Sequence, residues 1–326
     1  MGTRTVLLLV VCRLFLSAQP SPSRPGPAVI IIGVDGLSVD GVAKANMPRL
    51  RELMARAAWT LKARGVMPTL SSPNWASAIN GAAPEQHGIT SNGYLRHMVE
   101  FQPICRTADG KFPTIFGLLR AQHPASTIAI FHDWEGFADL LEKHAPNVMR
   151  HVPGAADTTR VAVEYWTAHR PDLMFIHLDN VDHAGHSYGW FRKGYYDAVE
   201  AADGYIGQVL DMVDALKARA STFVLITSDH GGTNRGHGKN SLAELQIPWV
   251  FAGPGVTPGE ISAPVNIYDT ALTVAWIFHL EPSPCSIGRP VMAAFNPPSV
   301  ATHDAAVHPP GSDCTLPQVG GSVAGQ

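Results

Sequence analysis

The sequence predicts an α/β fold with a doubly wound, mostly parallel sheet and helices on both of its faces. Short, continuous apolar runs recur along the chain, as in strands that are buried on both faces. Segments with apolar residues at helical spacing alternate with these runs, which is the pattern of parallel strands joined by crossover helices. The 326 residues are 45% hydrophobic and 16% charged, an ordinary globular composition with enough apolar material for a large core.

The first predicted strand, Ala28–Val34, is an apolar run bounded by a proline-rich stretch and by Asp35-Gly36. Four further runs are predicted to form strands: 126–131, 173–178, 222–227 and 247–252. Five helices are predicted between or beside them: 48–59 with Asn46 as its cap, 113–122, 158–169, 195–217 and 268–278. In such sheets the reactive groups sit at the carboxyl ends of the strands.

The two ends of the chain have compositions unlike the middle. Arg4 precedes an apolar run at 6–16 and small residues near Ala18, which predicts a signal peptide over 1–18 and a secreted or periplasmic protein. That run is too short for a stable membrane span. We expect a linker at 19–27, a catalytic domain at 28–296, and a disordered tail at 297–326, where residues of turns and loops dominate.

Charge and cysteine content limit the classes of partner. The formal net charge is −3 and no Lys/Arg cluster occurs, so binding to a nucleic-acid duplex is not expected. Removal of the leader would leave Cys105, Cys285 and Cys314, enough for one disulfide in an oxidising compartment. The sequence does not choose the pair, and it does not indicate the oligomeric state.

Acidic and histidine residues follow three of the predicted strands. Asp35 follows the first strand, the segment DHAGH containing Asp182 and His186 follows 173–178, and Asp229-His230 follows 222–227, with His237 seven residues later. Because these strand ends should share one edge of the sheet, their side chains are predicted to converge there. Carboxylate and imidazole ligands suit Zn²⁺, with Mn²⁺ as the alternative if oxygen ligands dominate.

A serine pair precedes one further helical segment, in PTLSSPNWASAING at 68–81. A helix beginning here would place Ser71 or Ser72 where backbone N–H groups favour an anion. An ordinary helix cap is the competing interpretation, and these residues alone do not exclude it.

Together these motifs resemble the alkaline phosphatase superfamily, in particular its type I phosphodiesterase/nucleotide pyrophosphatase branch. They are VDG at 34–36, PTLSSPNW at 68–75, GAAPEQHGI at 81–89, DHAGH at 182–186, SDHGG at 228–232 and RGHGKNS at 235–241. The resemblance runs from about Val29 to Ala294 and implies an alkaline phosphatase-like fold.

The resemblance also implies the site. It selects Ser71 as the nucleophile and Asn74 as the residue that binds a phosphoryl oxygen of the substrate. It implies two divalent metal ions, most simply Zn²⁺. The first would be bound by Asp35, Ser71, Asp229 and His230, and the second by Asp182, His186 and His237. The expected activity is hydrolysis of phosphodiester or pyrophosphate bonds in a small-molecule phosphate ester through a phosphoseryl intermediate.

Two departures from the family pattern affect the substrate. Only six residues separate His230 from His237, where nucleotide-cleaving members carry a long insertion, so nucleotide specificity is not implied. Trp75 replaces the histidine common after Pro-Asn, either as a wall for the leaving group or as a core residue. His183 is expected to be exposed or to lie behind the ligands. A phosphomonoesterase of the same superfamily and a secreted metal-binding protein without turnover are the alternatives.

Overall fold

One mixed sheet organises the part of the chain that the structure, a computed structural model, describes: residues 26–93 and 101–295. Its strands are β1 (Ala28–Val34), β2 (Ala58–Arg64), β3 (Ile128–His132), β4 (Val148–His151), β5 (Leu173–Leu178), β6 (Thr222–Thr227), β7 (Gln246–Ala252) and β8 (Gly259–Glu260). They are ordered β4-β3-β5-β1-β6-β7-β2-β8. The central trio β5-β1-β6 is parallel, as are β3 with β4 and β3 with β5. Strand β7 runs antiparallel to both β6 and β2.

Helices cover both faces of the sheet. They are α1 (Val39–Lys44), α2 (Pro48–Met54), α3 (Ser71–Asn80), α4 (Pro84–His87), α5 (Ile115–Gln122), α6 (Ala155–His169), α7 (Asn180–Tyr188), α8 (Lys193–Ala215), α9 (Leu242–Leu245) and α10 (Asp269–Ile277). Alternate residues of β1 enter two separate cores. Val29 and Ile31 pack with α3, α5 and α10, whereas Ile30 and Ile32 pack with α2, α6 and α8. The predicted fold class is therefore confirmed.

The predicted bounds of the central strands agree with the structure, whereas those of the helix predicted over 48–59 do not. The observed β1, β5 and β6 have the predicted bounds, and β3 and β7 differ by two residues at most. The helix predicted over 48–59 is wrong at its end, because α2 stops at Met54 and Trp59 lies in β2. Asn46 is not the cap of α2; the position is Met47, which makes no side-chain cap hydrogen bond.

Three of the sequence predictions concern the two ends of the chain. The signal peptide at 1–18, nearly all of the linker and the tail at 297–326 lie outside the described residues. Among the described residues, a disulfide joins Cys105 to Cys285, with their Cα atoms 6.1 Å apart. None of the helices in the described ranges has the length and apolar composition needed to cross a membrane.

Candidate active site

The site lies where β5, β1 and β6 end side by side. Asp35 follows β1 directly, and Gly36 turns the chain with φ of +70°. A Cβ atom at Gly36 would lie 2.7 Å from Asp182 Cα, so the close approach requires glycine there. Asp229 follows β6, and Asp182 lies in the first turn of α7, which begins just after β5. The parallel pairing of the three strands thus brings these carboxylates together.

The first group of candidate ligands surrounds His230. Its Nε2 atom lies 3.1 Å from Asp229 Oδ2, 3.6 Å from Asp35 Oδ1 and 3.3 Å from Ser71 Oγ. All four residues are buried. Ser71 is the first residue of α3, so its hydroxyl lies at the positive end of that helix. The neighbouring Ser72 has a buried hydroxyl with no hydrogen-bond partner in the described structure, so the geometry brings Ser71 rather than Ser72 to this group.

The hydrogen bonds of this group leave one oxygen of each carboxylate unused. Trp75 Nε1 and His177 Nε2 lie 2.8 Å and 3.1 Å from Asp35 Oδ2, and the Gly36 N–H donates to Asp229 Oδ1. His230 Nδ1 donates to the carbonyl of Gly231. Asp35 Oδ1 and Asp229 Oδ2 are buried without a hydrogen-bond partner among the described residues and face His230 Nε2. Two buried carboxylate oxygens without a described partner, beside an imidazole nitrogen that contacts the Ser71 hydroxyl, fit a divalent cation.

The second group consists of Asp182, His186 and His237. Asp182 and His186 are four residues apart on α7, with Asp182 Oδ2 3.3 Å from His186 Nε2. His237 Nε2 lies 3.1 Å from His186 Nε2 and 3.6 Å from Asp182 Oδ1, an oxygen with no described hydrogen-bond partner. The Nδ1 atoms donate to carbonyls, His186 to Arg235 and His237 to Thr69. Both Nε2 atoms therefore lie close to each other and to the Asp182 carboxylate. This arrangement needs a positive charge among the three side chains, either a metal ion or a proton.

Electrostatics of the metal-free site reflect the crowding of its carboxylates. Burial, followed by repulsion from Asp35, raises the pKa of Asp229 well above its ordinary value. Burial likewise raises the pKa of Asp182, and burial with the nearby Asp35 raises the pKa of Asp179 to about 7. Burial would also raise the pKa of Asp35, but hydrogen bonding from His177 and the charges of His230 and His177 lower it. A bound cation would relieve this repulsion.

All seven predicted ligands therefore occur in two adjacent groups, each with its ligand atoms within 4.8 Å of one another, apart from Ser71, which lies beside the first. The side chain of His183, by contrast, is exposed. Trp75 is fully buried and packs edge-on against Phe175, so it is a core residue that also donates to Asp35.

Asn74 is used within the protein. Its side chain is fully buried: Oδ1 accepts from Val66 N, and Nδ2 donates to carbonyls of the 66–70 segment. Both polar atoms of the amide have partners in this segment, so these contacts do not support the prediction that Asn74 binds substrate. It shapes the loop that leads into Ser71 instead.

Asn92 has the features that Asn74 lacks. It is exposed, and its Oδ1 accepts from the backbone N–H of Ser72, 2.9 Å away, which places the amide beside the start of α3. No local sequence pattern marks Asn92 as a site residue, although it lies three residues beyond the motif that ends at Ile89. His177 was also missed, because a histidine inside an apolar strand gives no local signal of a contact with Asp35.

The chain is similar to known proteins both in sequence and in structure. Residues 29–245 match the family described as type I phosphodiesterase / nucleotide pyrophosphatase. GPI ethanolamine phosphate transferase 1 of Saccharomyces cerevisiae is 26% identical over 260 residues, covering 73% of this chain and 28% of that protein. Human ectonucleotide pyrophosphatase/phosphodiesterase family member 1 is 23% identical over 223 residues, covering 63% and 23%. The chain thus spans about a quarter of the length of these relatives.

Two solved structures have a similar fold. Murine ectonucleotide pyrophosphatase/phosphodiesterase 5, in an inactive form with AMP, superimposes with a TM-score of 0.69 at 16% identity and covers 83% of this chain and 100% of that one. A mutant of the alkaline phosphatase PafA gives a TM-score of 0.69 at 11% identity, covering 84% and 100%.

Proposed function

Because this chain belongs to the type I phosphodiesterase/nucleotide pyrophosphatase family of the alkaline phosphatase superfamily, we propose that it hydrolyses phosphate esters with Ser71 as nucleophile. The observation that carries the proposal is the position of Ser71 Oγ, 3.3 Å from His230 Nε2. The same nitrogen lies near two buried carboxylate oxygens that have no hydrogen-bond partner among the described residues. Phosphodiester or pyrophosphate bonds are the proposed substrates.

Two divalent cations, Zn²⁺ in the first instance, complete the proposed site. Asp35, Asp229, His230 and Ser71 would hold one, and Asp182, His186 and His237 the other. Such ions lower the pKa of a serine hydroxyl and neutralise negative charge on the oxygens of the transition state. Carbonyl acceptors on the Nδ1 atoms of the three histidines would hold the rings in the tautomer that ligates through Nε2.

The residues then divide the reaction among them. The Ser71 oxygen attacks phosphorus as the bond to the leaving oxygen breaks, and the proton of the Ser71 hydroxyl balances the charge of the departing alkoxide or phosphate. The product on Ser71 is a phosphoryl ester that keeps the other substituent of the substrate phosphorus. Water then hydrolyses this ester, which regenerates the Ser71 hydroxyl and releases that substituent as its phosphate monoester. Backbone N–H groups at the start of α3, together with the Asn92 amide, are placed to donate to the phosphoryl oxygens.

Ser71→Ala is the first test of this function. We expect turnover to fall on the order of 10³-fold or more, because no other described group is placed to form the covalent intermediate. Ser71→Thr should retain measurable activity, and Ser72→Ala should stay near wild type. Mass spectrometry of acid-quenched enzyme should find a phosphoryl adduct on the Ser71 peptide, with the mass of the remaining ester group added when a diester is the substrate. An S71A variant with most of its turnover and a full metal content would refute the assignment.

The substrate class can be tested directly. We expect faster hydrolysis of bis-p-nitrophenyl phosphate than of p-nitrophenyl phosphate, with activity lost on chelation and restored by Zn²⁺ or Mn²⁺. A nucleotide diester in the same panel tests whether the short segment between His230 and His237 still admits a nucleotide. Preference for the monoester would favour the phosphomonoesterase alternative, and stoichiometric metal without hydrolysis of any ester would favour a binding protein.

Secretion or a periplasmic location is the third part of the proposal. The bond between Cys105 and Cys285 supports it, since such disulfides persist in oxidising compartments. N-terminal sequencing of the mature protein should find a start shortly after Ala18. A cytoplasmic protein that retains Met1 would contradict this proposal.

A further inference from the structure

Glu244 is a buried carboxylate that the proposed reaction does not use. It lies in the single turn of α9, is fully buried, and takes part in none of the described ion pairs. Three donors surround it instead. Thr233 Oγ1 lies 2.9 Å from Oε1, while the Lys239 N–H and Thr69 Oγ1 lie 2.6 Å and 2.9 Å from Oε2. Burying a carboxylate that has only neutral donors costs free energy of folding, which is a reason to ask what its contacts do.

Those contacts lead to both groups of candidate ligands. Thr69 accepts the Nδ1 proton of His237 on its carbonyl oxygen at 2.7 Å, and its hydroxyl accepts from Gly238 N at 3.0 Å. The backbone carbonyl of Glu244 accepts from Gly231 N at 2.8 Å, and Gly231 O in turn accepts from His230 Nδ1. Thr69 also lies two residues before Ser71.

We infer that Glu244 is a positioning residue, which fixes His237 and the loop before Ser71 relative to each other through Thr69, Lys239 and Thr233. The inference rests on the proposed function, in which His237 binds a metal ion. Only six residues connect His230 to His237, and this short segment crosses between the two groups without a helix or strand of its own. Glu244 joins both sides of that segment to the nucleophile loop.

The carboxylate is suited to this task because it only accepts. The Lys239 N–H and the hydroxyls of Thr233 and Thr69 approach its two oxygens, although the Thr69 hydroxyl also lies 2.7 Å from the Lys239 carbonyl. Glutamine at this position would offer a neutral amide oxygen, a weaker acceptor than a carboxylate, to the Thr69 hydroxyl. The loop whose carbonyl orients His237 would then be held less firmly. Groups that orient a metal-binding histidine typically change metal affinity 10–100-fold when they are removed.

The test is Zn²⁺ binding to the metal-free full chain by calorimetry, with Glu244→Gln compared against Glu142→Gln. Glu142 is a matched control, a buried glutamate that accepts from the backbone and hydroxyl of Thr114 and has no described contact with a candidate ligand. We expect wild type and E142Q each to bind two Zn²⁺, and the affinity at each site to be the same in both proteins. E244Q should bind the first ion normally and the second about 10–100-fold more weakly.

Thr69 variants provide a second measurement if E244Q does not fold. Thr69→Val removes the hydroxyl but keeps the carbonyl, and should weaken Zn²⁺ binding at the second site. Thr69→Ser keeps the hydroxyl and should bind Zn²⁺ at this site as wild type does. Wild-type affinity for both ions in folded E244Q, or in T69V where E244Q does not fold, would overturn the inference while leaving the proposed function intact. A wild-type chain that binds fewer than two Zn²⁺ would instead overturn the proposed function, and with it the premise of this inference.

Discussion

At the scale of single residues, Asp35 shows how a metal ligand is oriented from behind. Trp75 and His177 both direct nitrogen atoms at its Oδ2, so Oδ1 faces the site alone. The two rings pack edge to face, with centroids 5.1 Å apart. Trp75 thus combines a nitrogen donor to Asp35 with apolar packing in the core.

Trp75→Phe should separate these two contributions. The ring remains but its N–H is lost, so Asp35 becomes freer to rotate and we expect Zn²⁺ affinity at the first site to fall about tenfold. Calorimetry on metal-free protein measures this. Trp249→Phe is the matched control, since Trp249 is equally buried and donates to the hydroxyl of Thr270, which belongs to neither group of candidate ligands. Equal Zn²⁺ affinity in W75F and W249F would contradict the role given to the N–H.

His186 makes the second site dependent on pH. Hydrogen bonding to Asp182 raises the pKa of His186 to about 9, so below that pH a proton occupies the imidazole in the metal-free protein. Metal must displace this proton, so Zn²⁺ affinity should increase about tenfold per pH unit between pH 7 and 8.5. Calorimetry in buffers of different ionisation enthalpy should detect release of at least one proton. His144→Gln, at an exposed histidine paired with Asp109, should keep this dependence. Affinity that is constant over this range would refute the prediction.

Asn74 and Asn92 show the limit of residue-level inference. Both asparagines lie close to the nucleophile in sequence, and only their hydrogen bonds distinguish them. Four bonds within the 66–74 segment involve the Asn74 amide, whereas Asn92 is exposed, comes from a different segment and accepts from the Ser72 N–H through Oδ1. A motif can select a residue type, but it does not reveal which amide remains free.

At the scale of secondary-structure elements, α2 begins where another helix supplies its cap. The carboxylate of Asp203 on α8 accepts from the backbone N–H groups of Arg49 and Leu50 at 3.0 Å and 2.8 Å. Pro48 occupies the first turn, so fewer N–H groups need a partner. The local signal at Asn46 was therefore misleading, because a residue about 150 positions away performs the capping.

The end of α4 contains a histidine that should make the fold sensitive to acid. His87 is buried, accepts from the Ile89 N–H through Nδ1, and pairs with Ser77 through Nε2. Burial lowers its pKa to about 3. The unfolded chain binds a proton near pH 6.5 and the folded chain does not, so stability should be lost as pH falls from about 6.5 toward 3.

His87→Gln should reduce this acid sensitivity. Glutamine keeps hydrogen-bonding groups but has no proton to gain, so the difference in unfolding free energy between pH 7 and pH 4 should shrink. Urea unfolding of chelator-treated protein at both values measures it, with His123→Gln, at an exposed position, as the control. An unchanged pH dependence in H87Q would show that other groups dominate acid unfolding.

At the scale of the whole molecule, one disulfide connects distant parts of the chain. Cys105 and Cys285 are 180 residues apart in sequence, so the bond closes a loop that includes most of the sheet. Closing so long a loop restricts the unfolded state strongly, and removal of such a bond typically costs about 2–5 kcal/mol.

The double variant Cys105→Ser/Cys285→Ser should therefore unfold at lower denaturant concentration than wild type, by about 2–5 kcal/mol in free energy. Cys314→Ser should have no such effect, because the partner that the tail could have used is already occupied. Denaturant unfolding monitored by circular dichroism measures both. A large loss of stability in C314S would contradict the observed pairing.

The sequence by itself determined the doubly wound fold, the central strands and the seven residues proposed to bind metal. Strand and helix patterns are local in sequence. The motifs that directly follow β1, β5 and β6 must lie at the ends of those strands, so their positions follow from the strand assignment. Only the tertiary structure decided which oxygen of Asp35 faces the site, which asparagine is free, that Cys105 pairs with Cys285, and that Glu244 contacts both sides of the segment from His230 to His237. These features depend on contacts between residues far apart in sequence, and burial and hydrogen bonding exist only once those segments have packed together.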